Sequence, residues 1–457
     1  MKRVIIIGSG ISGLITAYRL KQAGIDVNLL ERADRVGGVM RTTIEDGFLT
    51  EWGPNSFRNN DLLDDLISEL GLENEKLEAD PAAPRFIYQN GKLKPFPMGL
   101  GGFISTSLLT IGGKLRILAE PFIKGMRNGT DESVAGFITR RLGPQIEKTF
   151  VSPFVSGIYA GDSSKLSMRS TFAALVEFEE EGGSITRGAF KAMRRKKSHA
   201  AQPARPRRKM TLTSFKHGIG VLPNAIAENL GDSIELNCSD INVEKLNGAF
   251  SVSYKNAGQV MSVDCNAIVM ATPAFAAAGI VRPLSATAAD ALDTIPYPPV
   301  VVVSAAIKKD QTANPVNGFG FLIPRTEGLR MLGCVWSSSL FSGRAPEGFH
   351  LVTMFFGGAT DPGINNLDDD AIRKIVTSEL RQTMNITGDP GIIQIIRHSR
   401  AIPQYNIGHS ERARTIEGAS NSVPGLFFAC NYLDGVSAGD CAKRADKVVH
   451  QVSDFLT

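Results

Sequence analysis

The chain contains 457 residues, more than one ordinary hydrophobic core accommodates, so its length predicts two or three domains. Hydrophobic residues make up 43% and charged residues 21% of the sequence, which excludes a disordered or a fibrous protein. The formal net charge is +4, and the five cysteines include no C-x-x-C pair and no histidine at metal-ligand spacing. Zinc sites and disulfide frameworks are therefore excluded, no metal is predicted, and a reducing compartment is favoured.

The amino-terminal end carries the strongest local pattern. An apolar run over residues 4–7 predicts a buried strand, and it leads directly into G-x-G-x-x-G. In such a loop Gly8 makes the tight turn, and Gly10 lets the backbone approach a pyrophosphate. Gly13 lets the following helix pack closely against the strand. This arrangement predicts a loop that binds phosphates.

The residues that follow complete a nucleotide-binding unit. A helix is predicted from Ser12 to about residue 23, and its N-terminal N–H groups suit phosphate oxygens. A second strand is predicted over residues 26–30, and Glu31 then stands where an acid accepts the ribose hydroxyls. Strand, loop, helix, strand and acid in this order predict a dinucleotide site.

The sequence contains one such motif. Gly218-Ile-Gly220 and Gly318-Phe-Gly320 lack the third glycine. A reductase of the disulfide-reductase type would need a second site for NAD(P)H. A single dinucleotide site in a chain of this length therefore favours an oxidase or a desaturase that uses a bound flavin.

The remainder of the chain mixes sheet-like and helical stretches. Helices are predicted over residues 61–70 and 368–385, and residues 96–175 are predicted to be helical and rich in loops. A buried strand over residues 425–429 and a helix from about residue 439 close the chain. Further strands are predicted at 85–88, 92–94, 232–236, 241–246, 250–254, 259–263, 267–270, 299–307, 318–323, 330–335 and 350–356.

A basic span interrupts the middle of the chain. Residues 187–216 contain eleven lysines and arginines and no acid, so the rest of the chain is mildly acidic. Two clusters, 194–197 and 205–209, flank a Ser/Ala/Pro-rich stretch that predicts a mobile surface loop. It is either a solvated loop or a contact for anionic lipid. Nucleic-acid binding is disfavoured because the span lacks interleaved aromatic residues.

The chain shows no sign of crossing a membrane. No stretch approaches the roughly 18 uncharged apolar residues of a spanning helix, and the first strand leaves no room for a leader peptide. We therefore expect a cytoplasmic protein that is soluble or lies on the inner face of the cell membrane. Oligomeric state is left open, with a homodimer as one alternative.

Several motifs together resemble a known family. Gly8–Gly13, Glu31-Arg32, Arg35–Gly38 and Arg41-Thr42 resemble the FAD-binding start of the flavin amine-oxidase superfamily. Within it, later segments are similar to the protoporphyrinogen and coproporphyrinogen III oxidases. Those segments run in family order over nearly the whole chain and comprise residues 51–56, 84–86, 156–162, 318–324, 337–341 with 344–346, 355–358, 402–405 and 431–437.

The resemblance implies FAD as the cofactor and a set of residues that contact it. By this resemblance residues 53–56 lie along the flavin, residues 435–437 hold its pyrimidine end, and the main chain of Ile241 passes over the adenine. The predicted FAD residues are Gly8, Ser9, Gly10, Ile11, Ser12, Gly13, Glu31, Arg32, Gly37, Gly38, Arg41, Gly53, Pro54, Asn55, Ser56, Ile241, Gly435, Val436 and Ser437.

The resemblance also implies a substrate site. Arg85 resembles the arginine that pairs with a substrate propionate, and Gly157 lies where the pocket wall must be thin. Leu322, Val335 and Phe355 resemble the residues that sandwich the tetrapyrrole. On the residues alone, Arg85 could be an ordinary strand residue, and Leu322 and Phe355 could belong to a core.

Some positions depart from the family pattern or stay ambiguous. Cys430 stands where glycine is common, and its chemistry predicts a small buried hydrophobe. Lys443-Arg444 replaces the usual small residues of the closing helix. Tyr405 could be structural or functional, and His409 adjoins a glycine in a predicted loop with little sign of a catalytic role.

The implied activity is oxidation of protoporphyrinogen IX to protoporphyrin IX, in three two-electron steps that each return electrons to O2 and release H2O2. Coproporphyrinogen III is the alternative substrate. A flavin amine oxidase, a carotenoid desaturase and a non-catalytic flavoprotein that binds a tetrapyrrole remain as further alternatives. No catalytic side chain is assigned, because the pyrrole nitrogens stabilise the cation that hydride loss creates and placement in a dry pocket suffices.

The predicted fold class is α/β, with a discontinuous Rossmann-type FAD-binding domain, a mixed-sheet substrate domain and a mainly helical insertion. The FAD-binding domain comprises residues 1–80, 228–300 and 424–457. The substrate domain comprises residues 81–98, 200–227 and 301–423. By resemblance, the insertion over residues 99–199 is the part that contacts a membrane.

Overall fold

The structure, a computed structural model, describes residues 2–125, 129–198, 211–246, 248–313 and 315–457. They form an α/β fold in which a parallel sheet, a larger mixed sheet and a helical region meet. The strands are β1 (Arg3–Ile7), β2 (Asp26–Leu30), β3 (Thr42–Glu45), β4 (Phe48–Glu51), β5 (Phe57–Arg58), β6 (Lys76–Glu78), β7 (Arg85–Gln89), β8 (Lys92–Pro95), β9 (Leu212–Phe215), β10 (Ile234–Glu235), β11 (Ser239–Leu246), β12 (Ala249–Asn256), β13 (Gln259–Cys265), β14 (Ala267–Met270), β15 (Val300–Lys308), β16 (Gly320–Leu322), β17 (Met331–Val335), β18 (Phe349–Gly357), β19 (Gly391–His398) and β20 (Leu426–Phe428).

Several helices, α15 among them, begin at a side chain that caps the first turn. The Asp368 side chain accepts a hydrogen bond from the Ala371 N–H at the start of α15, and Asn385, in the left-handed conformation, ends that helix. The helices are α1 (Ile11–Gln22), α2 (Asp61–Glu69), α3 (Gly99–Ser105), α4 (Ile111–Leu118), α5 (Val134–Leu142), α6 (Pro144–Ile146), α7 (Ser152–Tyr159), α8 (Met168–Thr171), α9 (Ala173–Gly182), α10 (Ile185–Ser198), α11 (Val221–Leu230), α12 (Ala274–Val281), α13 (Ala286–Asp293), α14 (Ser337–Leu340), α15 (Asp369–Met384), α16 (His409–Ser422) and α17 (Ala438–Leu456).

The parallel sheet has the strand order β10-β2-β1-β14-β20. Its strands come from both ends and the middle of the chain, as the sequence predicts for a discontinuous Rossmann-type unit. Ile6 packs in a core with α1 and α17, and Ile5 packs in a second core with α12 and α16. Helices therefore cover both faces, which explains why these strands are continuously apolar rather than alternating.

The mixed sheet has the strand order β19-β15-β18-β17-β16-β7-β8. All neighbours are antiparallel except β16 and β7. Helix α15 closes one face, where Val376 and Leu380 pack with Val303 and Phe356. The opposite face, called the site face below, looks toward the predicted flavin segment and α7.

Helices α3–α10 form the helical region. Its core includes Val134 and Phe137 of α5. A buried ion pair between Glu120 and Arg141 anchors α10, because the Glu120 carboxylate also accepts from the Ile185 N–H at 2.9 Å and from the Thr186 hydroxyl at 2.8 Å. These bonds fix the start of α10.

Two sequence-based expectations are wrong. The basic cluster 194–197 lies within α10 rather than in a loop, because the Glu120 carboxylate satisfies the amides that begin this helix. The second cluster, 205–209, lies outside the described residues. His409 is not a loop residue either, since it is the first residue of α16 after Gly408 in the left-handed conformation.

Candidate active site

The glycine-rich loop joins β1 to α1 at the carboxyl edge of the parallel sheet. Gly8 has φ +107°, and an added Cβ would lie 2.9 Å from the main-chain carbon and oxygen of Ala271. An added Cβ at Gly13 would overlap the Gly8 carbonyl oxygen. Both positions thus exclude a side chain for the reasons that the sequence predicts. Ile11 and Ser12 open α1, whose first turn contains no acid.

The Glu31 carboxylate is hydrogen-bonded to this loop. One carboxylate oxygen accepts from the Ser9 N–H at 2.8 Å and from the Ser9 hydroxyl at 2.7 Å. The other accepts from the Ala33 N–H at 2.8 Å. These bonds fix the acid at the end of β2 beside the glycine-rich loop, as a ribose-binding role requires, while Arg32 is exposed.

The second glycine pair lies against the first loop. The Gly37 N–H donates to the Ser9 carbonyl oxygen at 2.9 Å, and an added Cβ at Gly38 would come within 3.5 Å of Gly10. Further along, the Arg41 guanidinium lies 3.7 Å from the centre of the Trp52 ring. This cation–π contact positions the start of the predicted flavin segment.

The predicted flavin segment, residues 53–56, reaches the mixed sheet. An added Cβ at Gly53 would lie 2.9 Å from the Val39 carbonyl oxygen, so a side chain is excluded there. Asn55 Oδ1 accepts from the Ser337 hydroxyl at 3.0 Å. Its buried Nδ2 finds no hydrogen-bond partner among the residues that the structure describes, whereas Pro54 and Ser56 are half-buried.

Two more predicted FAD positions have distinctive backbones. In β11 the register against β12 shifts between Ser239 and Asn242, so Ile241 leaves the regular ladder. Gly435 has φ +140°, and an added Cβ would lie 2.5 Å from Asp440 Oδ2. Ser437 caps α17 by accepting from the Asp440 N–H, and Val436 packs against the helical region.

On the site face, strand pairing assembles the predicted substrate residues into two adjacent rows. Paired neighbours share a face, so each row runs straight across the sheet. The apolar row comprises Ile87, Leu322, Gly333, Phe355, Val302 and Ile396. The polar row comprises Arg85, Gly320, Val335, Thr353, Ser304 and Gln394.

The rows bring together the sequence-predicted substrate residues. Arg85 stands at one end, with its guanidinium 5.2 Å from the centre of the Phe319 ring, and Leu322, Val335 and Phe355 are half-buried. Gly157 of α7 faces Leu322 so closely that an added Cβ would overlap the leucine Cδ2. The helix therefore approaches the apolar row at a glycine.

Sequence reasoning missed several polar residues of the site face. The Ser304 side chain is 1% exposed, and within the described chain no group bonds its hydroxyl. Thr353 shares a hydrogen bond of 2.9 Å with Ser337, and Gln394 Nε2 donates to the Thr43 hydroxyl at 3.3 Å. Period-two alternation would have placed each of Ser304 and Thr353 on one face of its own strand. Only the pairing of β15 with β18 shows that the two side chains are neighbours on the same face of the sheet.

Lys94 was also missed. It pairs with Ile87 on the edge strand β8, so it extends the apolar row at the same end as Arg85. Its ammonium donates to Gln89 Oε1 at 2.8 Å. One end of the site face therefore carries two cations.

The buried carboxylate of Glu51 lies on β4, just before the predicted flavin segment. Glu51 accepts from the Thr42 hydroxyl at 2.7 Å and from the Ile219 N–H at 2.9 Å, and it is 2% exposed. Burial raises the pKa of this carboxyl to about 7, against the opposing effect of its hydrogen bonds and of Arg344. The sequence alone does not indicate this role, because the partners of Glu51 come from other segments of the chain.

Cys430 is buried, as expected of a small hydrophobe at this position. Its thiol donates to the Thr272 carbonyl oxygen at 3.1 Å. Burial raises the pKa of the Cys430 thiol to about 12, so it stays protonated and unreactive at neutral pH.

Comparison with known proteins decides the family. A model of the flavin-containing amine oxidoreductases matches residues 11–452. This chain belongs to that family. Like other flavin-containing amine oxidoreductases it is a flavoprotein, and its cofactor is FAD.

Relatives within the family span nearly the whole chain. The chloroplast protoporphyrinogen oxidase of Nicotiana tabacum is 36% identical over 469 residues, which cover 99% of this chain and 86% of the tobacco protein. The coproporphyrinogen III oxidase of Bacillus subtilis is 28% identical over 472 residues, which cover 100% and 98%. A crystal structure of a candidate protoporphyrinogen oxidase from Exiguobacterium sp. 255-15 shares the fold, with a TM-score of 0.82, 23% identity and coverage of 100% and 99%.

The residues present fit FAD. At Gly10 an added Cβ would meet no described atom within 4 Å, which leaves the space that a pyrophosphate needs in front of α1. The buried Asn55 Nδ2, which has no partner among the described residues, is a donor that a polar group of the cofactor could satisfy. Near the first of these points the Glu31 carboxylate is held against the glycine-rich loop by its bonds to Ser9 and Ala33.

Proposed function

We propose that this flavoprotein oxidises protoporphyrinogen IX to protoporphyrin IX, with removal of six electrons, in porphyrin and haem biosynthesis. Three O2 molecules accept the electrons and three H2O2 molecules are released. The relatives named for porphyrinogen oxidation support the substrate class, because they align with this chain from end to end.

The observation that carries this proposal is the charge distribution on the site face. Arg85 and Lys94 mark one end of the two rows, and the central positions are apolar or uncharged. Protoporphyrinogen IX has the same pattern, with two propionates on one edge and methyl and vinyl groups elsewhere. A guanidinium pairs bidentately with a carboxylate and stays charged, so Arg85 suits the ground-state anchor.

The chain's own residues orient the substrate and exclude water. Leu322 and Phe355 present apolar surface to the tetrapyrrole, while Gly157 lets α7 close the pocket without a side chain. Bound FAD supplies the two-electron acceptor that O2 then regenerates. Because the pyrrole nitrogens stabilise the positive charge left on the substrate, placement in a dry pocket replaces a strong base.

Coproporphyrinogen III is the second candidate, and the Bacillus subtilis relative supports it. This substrate carries four propionates, so it would need cations at both ends of the site face. The two rows end instead at Gln394 and Ile396, and His398 beyond them is bonded to the Trp52 carbonyl oxygen at 2.8 Å. We therefore favour the substrate with two propionates.

Steady-state porphyrin fluorescence tests the choice. The holoprotein is given each porphyrinogen in turn, with O2 consumption followed in parallel. We expect a higher kcat/KM for protoporphyrinogen IX. A higher value for coproporphyrinogen III would reverse the assignment, and oxygen consumption with a polyamine alone would support an amine oxidase.

We further propose that the helical region lies on an anionic membrane surface in the cytoplasm. Ile111, Leu115 and Leu118 share one face of α4 and are 60–78% exposed, and Phe122 is 83% exposed. Nearby α10 adds exposed Phe190 beside lysines and arginines. The described residues include no helix long and apolar enough to cross a bilayer.

Liposome co-sedimentation tests this surface. Leu115→Ser with Leu118→Ser should reduce binding to vesicles that contain anionic lipid and leave turnover of dispersed substrate unchanged. Val260→Ser, an exposed apolar residue on β13, is the control. Equal sedimentation of both variants and the wild type would reject the membrane face.

A further inference from the structure

The final turn, residues 431–437, is held from outside by two side chains of an earlier segment. The Tyr405 hydroxyl donates to the Asn431 carbonyl oxygen at 2.5 Å. His409 Nε2 lies 2.9 Å from the Tyr432 carbonyl oxygen, and because a carbonyl can only accept, Nε2 carries the proton and donates. Two consecutive carbonyl groups are thus fixed just before the proposed flavin contacts.

The two side chains act as one unit. Their rings are stacked, with centroids 4.1 Å apart and planes 8° from parallel. Tyr405 is 4% and His409 2% exposed. Burial lowers the pKa of His409 to about 4, so the imidazole is neutral at neutral pH and keeps one N–H donor and one stacking face.

Tyr405 is also part of the helical region. It belongs to the same core as Val134 and Phe137, and its carbonyl oxygen accepts from the Ser167 N–H at 2.7 Å. Val436 of the final turn packs against this core too. The stacked pair therefore connects the helical region to the final turn through both hydrogen bonds and apolar contacts.

We propose that Tyr405 and His409 are positioning residues for FAD, which fix the final turn against the helical region and make retention of the cofactor depend on that region. The inference rests on the proposal that residues 435–437 hold the flavin. Neither side chain is assigned a contact with FAD, so their effect is transmitted through the carbonyl groups of the turn.

The FAD dissociation constant of the apoprotein tests the proposal, followed by quenching of FAD fluorescence. Tyr405→Phe keeps the stacked ring and removes the hydroxyl, and His409→Phe keeps a ring and removes the donor. We expect each variant to bind FAD at least about tenfold more weakly, the loss that corresponds to one hydrogen bond of about 1.4 kcal/mol.

Tyr88→Phe is the matched control. Tyr88 is 1% exposed, and its hydroxyl bonds the Gln382 carbonyl oxygen on the far side of the mixed sheet. We expect its FAD affinity to equal that of the wild type. Loss of apoprotein stability in Tyr405→Phe and His409→Phe without loss of FAD affinity would show a merely structural role and overturn the proposal.

Gly435→Ala tests separately whether residues 435–437 hold the flavin, which the positioning role assumes. Weak FAD binding in Gly435→Ala together with normal binding in both ring variants would overturn the positioning role alone. Normal FAD binding in all three variants would show that the final turn does not contribute to the flavin site, and it would overturn the inference. In the wild type, FAD should also slow amide hydrogen exchange in α5; unchanged exchange there would contradict the coupling.

Discussion

At the scale of single residues, the most informative side chains are those whose partners lie far away in sequence. Arg85 was predicted from resemblance, and the structure places it at one end of the polar row. Lys94, Ser304 and Glu51 were not predicted, because their significance comes from pairing and burial. A local pattern contains neither.

Replacement of Arg85 tests ground-state anchoring. We expect Arg85→Ala to raise KM about 10- to 100-fold, because a charge-assisted hydrogen bond contributes about 1.5–3 kcal/mol. The rate of flavin reduction at saturating substrate should change little. Lys92→Ala, on the exposed edge strand, is the control. A fall in the saturated rate as large as the rise in KM would argue against a role for Arg85 in anchoring the bound substrate.

Glu51 should make stability depend on pH. Burial raises the pKa of its carboxyl from the ordinary value of 4.5 to about 7, so the folded state holds the proton more tightly than the unfolded state. The wild type therefore loses stability as the pH rises from about 4.5 to 7, by up to about 3 kcal/mol. Glu51→Gln lacks this loss and preserves a hydrogen-bonding side chain.

Melting temperatures at pH 5 and pH 8 measure this effect. The advantage of Glu51→Gln over the wild type should grow between the two pH values. Glu244→Gln, at an exposed strand position, should show no such growth. A constant difference between Glu51→Gln and the wild type at both pH values would mean that this carboxyl does not titrate in the folded protein there.

At the scale of elements, sequence patterns predicted what is local. The strand, glycine-rich loop and helix at the amino terminus follow from adjacent residues, and β15 and α15 follow from apolar periodicity. Helix α10 was missed because its lysines and arginines were interpreted as a solvated loop, although Ala, Met, Lys and Arg are good helix formers. Its start is bonded to the Glu120 carboxylate, 65 residues earlier, a contact that no local pattern shows.

The approach of α7 to β16 gives a prediction at this scale. Gly157→Ala should push Leu322 off its position in the apolar row, raise KM for the porphyrinogen, and cost about 1–3 kcal/mol of stability through overpacking. Gly279→Ala, in α12 with open space around the new methyl group, should leave KM unchanged and stabilise the helix slightly. Kinetics and thermal unfolding of both variants measure these effects; a normal KM in Gly157→Ala would place α7 away from the substrate.

At the scale of the whole molecule, the candidate site lies where three parts of the fold meet. The glycine-rich loop comes from the parallel sheet, the two rows come from the mixed sheet, and α7 comes from the helical region. The predicted nucleotide-binding residues follow from a local pattern, because they lie within about 30 consecutive residues. The two rows do not follow from a local pattern, because they depend on the register of strands from β7 to β19; the resemblance named only some of their residues.

Anaerobic stopped-flow mixing tests the central claim most directly. Oxidised holoprotein is mixed with protoporphyrinogen IX, and the flavin absorbance and porphyrin fluorescence are followed together. The account predicts that the flavin bleaches, faster than with coproporphyrinogen III, and that porphyrin appears after O2 is admitted. If the holoprotein binds the tetrapyrrole while its flavin stays oxidised, the proposed oxidase activity is contradicted and the protein is a non-catalytic carrier instead.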